Sequence, residues 1–115
     1  MSWRHWIDHG MEAQFHRRVA VGAEAESWLQ SWEDDAARRK AELAGAFDIA
    51  YGPHQLMRFD YMPAQARLPV IINIHGGYWR ALDKSIMMHH MADLAASGFG
   101  IVNVNYPLCP EVSLT

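Results

Sequence analysis

The stretch from Val70 to Tyr106 constrains the fold more than any other part of the chain. It opens with a short β-branched run, Val70-Ile71-Ile72-Asn73-Ile74, without clean alternation, as expected of a strand buried on both faces. That run leads straight into a pair of glycines, Gly76 and Gly77. A helix is predicted from about Lys84 to Ser97, with Asp83 placed to cap it and Gly98 to end it. Its core face is Met87, Met91 and Leu94, with Ile86 and Ala95 alongside. A third strand, Ile101 to Tyr106, is closed off by Pro107 and Pro110. Strand, glycine loop, helix and strand, with about two dozen residues between the strands, make a βαβ crossover, which joins parallel neighbours. The chain is therefore read as α/β, with an open sheet that is incomplete, because parallel strands need helices on both faces and one crossover helix is present.

Upstream of this unit the texture changes. Residues 1–48 read as a helical N-terminal segment and 49–115 as the start of the sheet, together one partial domain over 1–115. The clearest helix runs from about Ala23 to Ala44, between Gly22 and Gly45. Trp28, Leu29, Trp32 and Ala36 recur at helical spacing as one apolar stripe. Asp34 with Arg38, and Asp35 with Arg39, are i,i+4 pairs on the exposed side. Trp3, Trp6, Ile7, Met11 and Phe15 indicate a shorter helix or turn. The tryptophan face packs within the chain's own fold or makes a dimer contact, which leaves a homo-oligomer open. After a turn at Tyr51-Gly52-Pro53-His54, the segment Gln55 to Met62 alternates. Met57, Phe59 and Tyr61 share one face, and Arg58 and Asp60 a wet one.

Composition excludes more than it selects. The 115 residues carry 10 Lys and Arg against 13 Asp and Glu, a net charge of −3, with no basic tract. Nucleic-acid binding has no electrostatic footprint here. The single cysteine, Cys109, excludes an intrachain disulfide and most cysteine metal sites. His89 and His90 are adjacent on a helix and face different directions, and with His75 they lack the i,i+4 spacing of helical zinc ligands. No metal and no cofactor is expected. The N-terminus, Met1 to Asp8, places charges and histidine where a signal peptide needs an apolar core. No run approaches the roughly 18 apolar residues of a membrane span. The expectation is a cytoplasmic protein with no membrane partner.

Chemistry concentrates in His75-Gly76-Gly77-Tyr78-Trp79, because ligands of open α/β sheets bind outside the carboxyl ends of the strands. Two glycines let the backbone turn sharply, permit positive φ at either position, and keep side chains out of the way. Backbone N–H groups can then point into a cleft and stabilise an oxyanion. By spacing alone the pair fits a tight strand-to-helix turn equally well. A phosphate loop fits less well, since there is no GxGxxG and no lysine of the Walker type.

The segment from Pro69 to Trp79, PVIINIHGGYW, resembles the HGGYW/HGGG segment of α/β-hydrolase esterases. Its Tyr-Trp ending is most similar to the kynurenine formamidase (arylformamidase) branch. Tyr51-Gly52-Pro53-His54, Leu82-Asp83-Lys84-Ser85 and the run from Asn105 to Val112, similar to an N-Y-x-L-x-P-E segment, fit the same branch. So does the helix carrying Trp28 and Trp32. The resemblance implies the N-terminal part of an α/β-hydrolase, acting by serine acyl transfer on a small aryl-formamide or ester. It also implies an oxyanion hole formed by the backbone N–H groups of Gly77 and Tyr78. Gly76 would shape the turn, with His75 and Trp79 serving as scaffold. A general carboxylesterase of the same fold, or a catalytically inactive fragment, are the alternatives.

The chain departs from that pattern in one respect. None of Ser2, Ser27, Ser31, Ser85, Ser97 and Ser113 lies in a G-x-S-x-G elbow. The nucleophile, acid and histidine of a triad are therefore expected outside these residues. Cys109, between Leu108 and Pro110, reads as filler rather than a nucleophile, and Asp83 as a cap with no further role. Unpaired sheet edges predict that the isolated chain is unstable, insoluble or dependent on a partner.

Overall fold

A computed structural model of the chain describes residues 22–114. The helix or turn expected around Trp3 to Phe15 lies outside the described residues. The described residues fall into two units, divided between Ser31 and Trp32. In chain order the elements are α1 (Glu24–Ala41), β1 (Ala46–Ala50), β2 (Arg58–Met62), β3 (Val70–Ile74), a 3₁₀ turn (Lys84–Met87), α2 (Met88–Ala96) and β4 (Gly100–Val104). Among the described residues, no helix is long and apolar enough to cross a membrane.

The four strands form one mixed sheet in the order β1-β2-β4-β3. β3 and β4 are parallel and in register from Val70↔Gly100 to Ile74↔Val104, as the crossover requires. β2 runs antiparallel to both β4 and β1. β1 corrects the sequence reading, which ran a helical segment to residue 48. Its register with β2 slips between Ala46 and Ile49, and Asp48 sits there with φ 57. A bulge with an aspartate in the left-handed region erases the alternation by which a strand is recognised.

β3 is not buried on both faces. It is the end strand of the described sheet, and Val70, Ile72 and Ile74 are exposed (Ile72 to 65%) on the face that no described helix covers. The other face carries the core, built from Ala36, Met62, Met88, Met91 and Ile101, with Phe47, Ile71 and Leu94 packed around it. Full burial of a Met or Ile side chain such as Met62 or Ile101 contributes about 1.5–3 kcal/mol.

The crossover helix begins as a 3₁₀ turn, and this shifts its face. Three residues per turn over Lys84–Met87 put Ile86 and Met88 into the core, with Met87 and Leu94 only half-buried. Met91 is buried as expected, together with Ala92. Gly98 (φ 93) stops the helix, with Phe99 N–H donating to Leu94 O at 3.2 Å. On α1, Arg38 pairs with Asp35 one turn back, and Arg39 lies 3.8 Å from Asp35 while also pairing with Asp93 of α2. Trp28 and Trp32 both stay about half exposed, while Ala36 from the same stripe is buried.

A row of polar side chains crosses the buried face of the sheet. Asp60, Asn103 and Asn73 occupy aligned positions on β2, β4 and β3. Asn73 Nδ2 donates to Asn103 Oδ1 at 2.8 Å, and Asn103 Nδ2 to the Lys84 carbonyl at 2.9 Å. Asp60, read as facing solvent, is 0% exposed. Lys84, itself 4% exposed, donates to Asp60 Oδ1 and to Asp48 Oδ1, each at 2.7 Å. The Asp48 N–H completes the cluster by donating to Asp60 Oδ1 at 2.9 Å. Burial alone would push the Lys84 ammonium down, yet its bonds to Asp48 and Asp60 outweigh this and hold it above its ordinary value. Asp48 is held low, first by the Lys84 hydrogen bond.

Candidate active site

The loop leaves the carboxyl end of β3 and is anchored at its first residue. His75 is buried, stacked flat on Tyr106 with ring centroids 4.3 Å apart. Its Nε2 lies 2.9 Å from Asn105 Oδ1 and its Nδ1 2.7 Å from the Gly76 carbonyl oxygen. Both ring nitrogens thus lie against the chain's own polar atoms, with Tyr106 Oη also 3.4 Å from Nδ1, and the ring, 3% exposed, presents neither to a substrate. Tyr106 Oη donates to the His75 carbonyl at 2.6 Å, and the Trp79 ring leans on Tyr106 at 4.9 Å.

Beyond the anchor the backbone is forced through an unusual path. Gly77 has φ 121, and Tyr78 and Trp79 follow in the left-handed region at 56 and 59. Two consecutive non-glycine residues there cost about 1–2 kcal/mol each, and such strain persists only where the surroundings hold it. The surroundings do so through the Gly77 carbonyl, which accepts from Arg80 N–H (3.0 Å) and Ala81 N–H (3.1 Å), and through Cys109 N–H, which donates to Trp79 O at 2.8 Å. Among the described residues, the N–H groups of Gly77 and Tyr78 donate to no acceptor. Of the two glycines only Gly77 takes positive φ. A Cβ there would lie 2.0 Å from the Ala81 carbonyl oxygen, whereas one on Gly76 would meet nothing within 4 Å.

The motifs that were separate in the sequence meet here. Tyr51 Oη donates to the Asn105 carbonyl at 2.6 Å, and His54 Nε2 lies 3.0 Å from Glu111 Oε1. Asp83 caps the 3₁₀ turn, accepting from Ser85 N–H at 2.9 Å, and its second oxygen accepts from Asn105 Nδ2 at 2.6 Å. That second bond corrects the reading of Asp83 as a cap alone. Burial opposes its ionisation, but donors from Ser85 and Asn105, with Lys84 nearby, hold the carboxyl below its ordinary value. Asn105 and Tyr106 were not singled out as site residues. The signal for them was asparagine recurring inside apolar strands at positions 73, 103 and 105, where an amide must find partners.

Other candidates remain apart from this constellation. Cys109 contributes its backbone. His89 and His90 do not point apart as expected: their rings touch, with centroids 3.9 Å apart, and His89 stacks on Trp32. Among the described residues, no three His, Cys, Asp or Glu side chains are grouped to hold a metal ion.

A mixed sheet in the order β1-β2-β4-β3, with a strained glycine loop at the carboxyl end of the parallel end strand, matches the N-terminal portion of an α/β-hydrolase fold. A protein assigned as a thioesterase from a Silicibacter species shares it, with 27% identity and a TM-score of 0.69 over 88% of this chain and 39% of that one. Esterase B of Lactobacillus rhamnosis superposes with a TM-score of 0.52 at 24% identity, over 78% of this chain and 33% of that one. The chain belongs to the BD-FAE family, whose model matches residues 31–114. Among curated proteins it is similar to the kynurenine formamidase of Drosophila melanogaster, 35% identical over 46 residues, 40% of this chain and 15% of that protein. It is also similar to the kynurenine formamidase of Salmo salar, 24% identical over 102 residues, 86% of this chain and 35% of that protein. The chain spans well under half the length of these curated relatives.

Proposed function

We propose that this chain supplies the oxyanion-hole loop of a hydrolase that cleaves aryl-formamides by acyl transfer to a serine. The observation that carries the reading is the pair of N–H groups on Gly77 and Tyr78 that find no acceptor among the described residues, held by a strained backbone at the carboxyl end of β3. Preorganised donors of this kind bind the oxyanion of a tetrahedral intermediate without reorganising at the moment of reaction. The names of the curated relatives supply the substrate class, an N-formyl aromatic amine. The likeness to the Silicibacter protein favours a second reading, in which the serine takes the acyl group from a thioester or ester and a thiol or alcohol leaves.

These residues contain no G-x-S-x-G, and His75 is buried among the loop's own contacts, so this reading takes the triad from sequence outside them. The test is to express the protein from its complete natural reading frame and compare turnover of N-formylkynurenine with turnover of short acyl esters and thioesters. Preference for the formamide supports the first reading, and preference for an ester or thioester the second. Absence of turnover on all three refutes both. The 115 residues alone are expected to turn over none of them.

A further inference from the structure

Asp83 is not part of the loop, yet it ends a continuous chain of polar contacts that reaches into it. Its Oδ2 accepts from Asn105 Nδ2 at 2.6 Å, Asn105 Oδ1 lies 2.9 Å from His75 Nε2, and His75 Nδ1 lies 2.7 Å from the Gly76 carbonyl. The direction of this chain is set at its far end. An ionised carboxylate can only accept, so it obliges Asn105 to present its NH₂ to Asp83 and its carbonyl oxygen to His75. Nε2 must then carry a proton. The ring's orientation is thereby specified, and with it the place of Nδ1 against the Gly76 carbonyl, which shares one peptide group with the Gly77 N–H; a second ring proton, on Nδ1, makes that contact a hydrogen bond.

We infer that Asp83 is a positioning residue for the anion cradle, acting through Asn105 and His75 to fix the direction of the Gly76–Gly77 peptides. This rests on the hydrolase reading for its catalytic consequence, but not for its structural one. The site for the relay is firm: Asp83 precedes Lys84, which two aspartates clamp, and Asn103 Nδ2 binds the Lys84 carbonyl. A cap-only role makes a different prediction. Serine at position 83 would still accept from Ser85 N–H as a good N-cap, but its single hydroxyl, one bond shorter, cannot also reach Asn105.

The test uses the protein expressed from its complete reading frame, with Asp83→Ser, Asp83→Asn, Asn105→Ala and the double variant Asp83→Ser/Asn105→Ala. Loss of one oxyanion donor in a protease lowers kcat about 10²–10³-fold, and misorientation should cost less, about tenfold. Asp83→Ser is expected to lower kcat by that factor with KM within about twofold, and the double variant to be no worse than Asn105→Ala. In ¹⁵N-histidine spectra, the protected Nε2–H signal of His75 should be lost in Asp83→Ser and partly kept in Asp83→Asn, which can still bond to Asn105 but no longer dictates its direction. A kcat and a His75 signal unchanged by Asp83→Ser would overturn the inference and leave a cap. If the unaltered protein turns over none of the three substrate types, the hydrolase reading fails and the imidazole signal alone decides. An unchanged signal then refutes the relay, and a lost one supports it.

Discussion

Replacing the two loop glycines one at a time should give effects of opposite sign. Gly77 combines φ 121 with a Cβ position 2.0 Å from the Ala81 carbonyl oxygen and 2.8 Å from the carbonyl carbon. The obstruction is backbone, which cannot swing aside as a side-chain end would. An alanine there meets a conformational cost of order 1–3 kcal/mol, and relieving the overlap must also displace the Gly77–Ala81 turn. A net loss of about 3 kcal/mol is expected, with turnover falling because the displaced N–H groups are the proposed donors. Gly76 has neither constraint: its φ is not positive and the added methyl meets nothing within 4 Å. Gly76→Ala should be neutral or stabilising by about 0.4–1 kcal/mol, through the lower entropy of the unfolded chain. Urea unfolding followed by tryptophan fluorescence reads the stability, and kcat the function, both on the protein from its complete reading frame. Equal losses from both substitutions would refute this account of the loop, as would a silent Gly77→Ala.

Lys84→Met should cost about 3–5 kcal/mol, because it leaves Asp60 buried without its cation. Lys84→Met/Asp60→Leu should recover most of that loss in the same unfolding assay. Stability should be flat through neutral pH and fall at both extremes. Asp48 and Asp83 are held below the ordinary carboxyl value of 3.8, so their contribution is complete above it and lost as pH falls through their lower folded-state values. Lys84 is held above 10.5, so its contribution is complete below that value and lost as pH rises through its higher folded-state value. Unfolding midpoints across pH should show both limbs, and the alkaline one should shrink in Lys84→Met. Tyr106→Phe removes the donor to the His75 carbonyl and should cost about 1 kcal/mol by urea unfolding. The 115 residues alone should self-associate through the exposed Val70, Ile72 and Ile74 face, and Ile72→Lys should shift their sedimentation toward monomer.

Those expectations rest unevenly on what the sequence could show. The β3–loop–α2–β4 unit was legible because its signals are local: a β-branched run, paired glycines, a cap at Asp83 and a stop at Gly98. The loop's place at the carboxyl end of β3 followed from the same signals. β1 was not legible, because its register slip and the left-handed Asp48 remove the period on which strand recognition depends. The facing of β2 failed for a different reason. Alternation assigns the polar residues to solvent, but Asp60 is inside because Lys84, 24 residues away, reaches it. Nor does pairing of glycines reveal which of them bears the strain. That is decided by the carbonyl of Ala81, which a side chain on Gly77 would strike.

The same long-range ion cluster anchors the residue next to Asp83. Lys84 is tied through its side chain to β1 and β2, and through its carbonyl to β4. Asp83 is therefore fixed by three strands before it contacts Asn105, and Asn105 begins where β4 ends. His75 in turn begins where β3 ends, so His75, Asn105 and Asp83 each stand next to a strand terminus or next to the clamped lysine. Such a site can be held to a fraction of an ångström only if those anchors do not move independently. The polar row from Asp60 through Asn103 to Asn73 couples them across the sheet, in the layer directly beneath the loop's strand. Buried polar groups are a poor route to stability alone, since well-packed apolar residues would often serve as well or better. Their presence across the sheet fits the direction they impose: the row fixes Lys84, and from its neighbour Asp83 the polar contacts run through Asn105 and His75 to the Gly76 carbonyl.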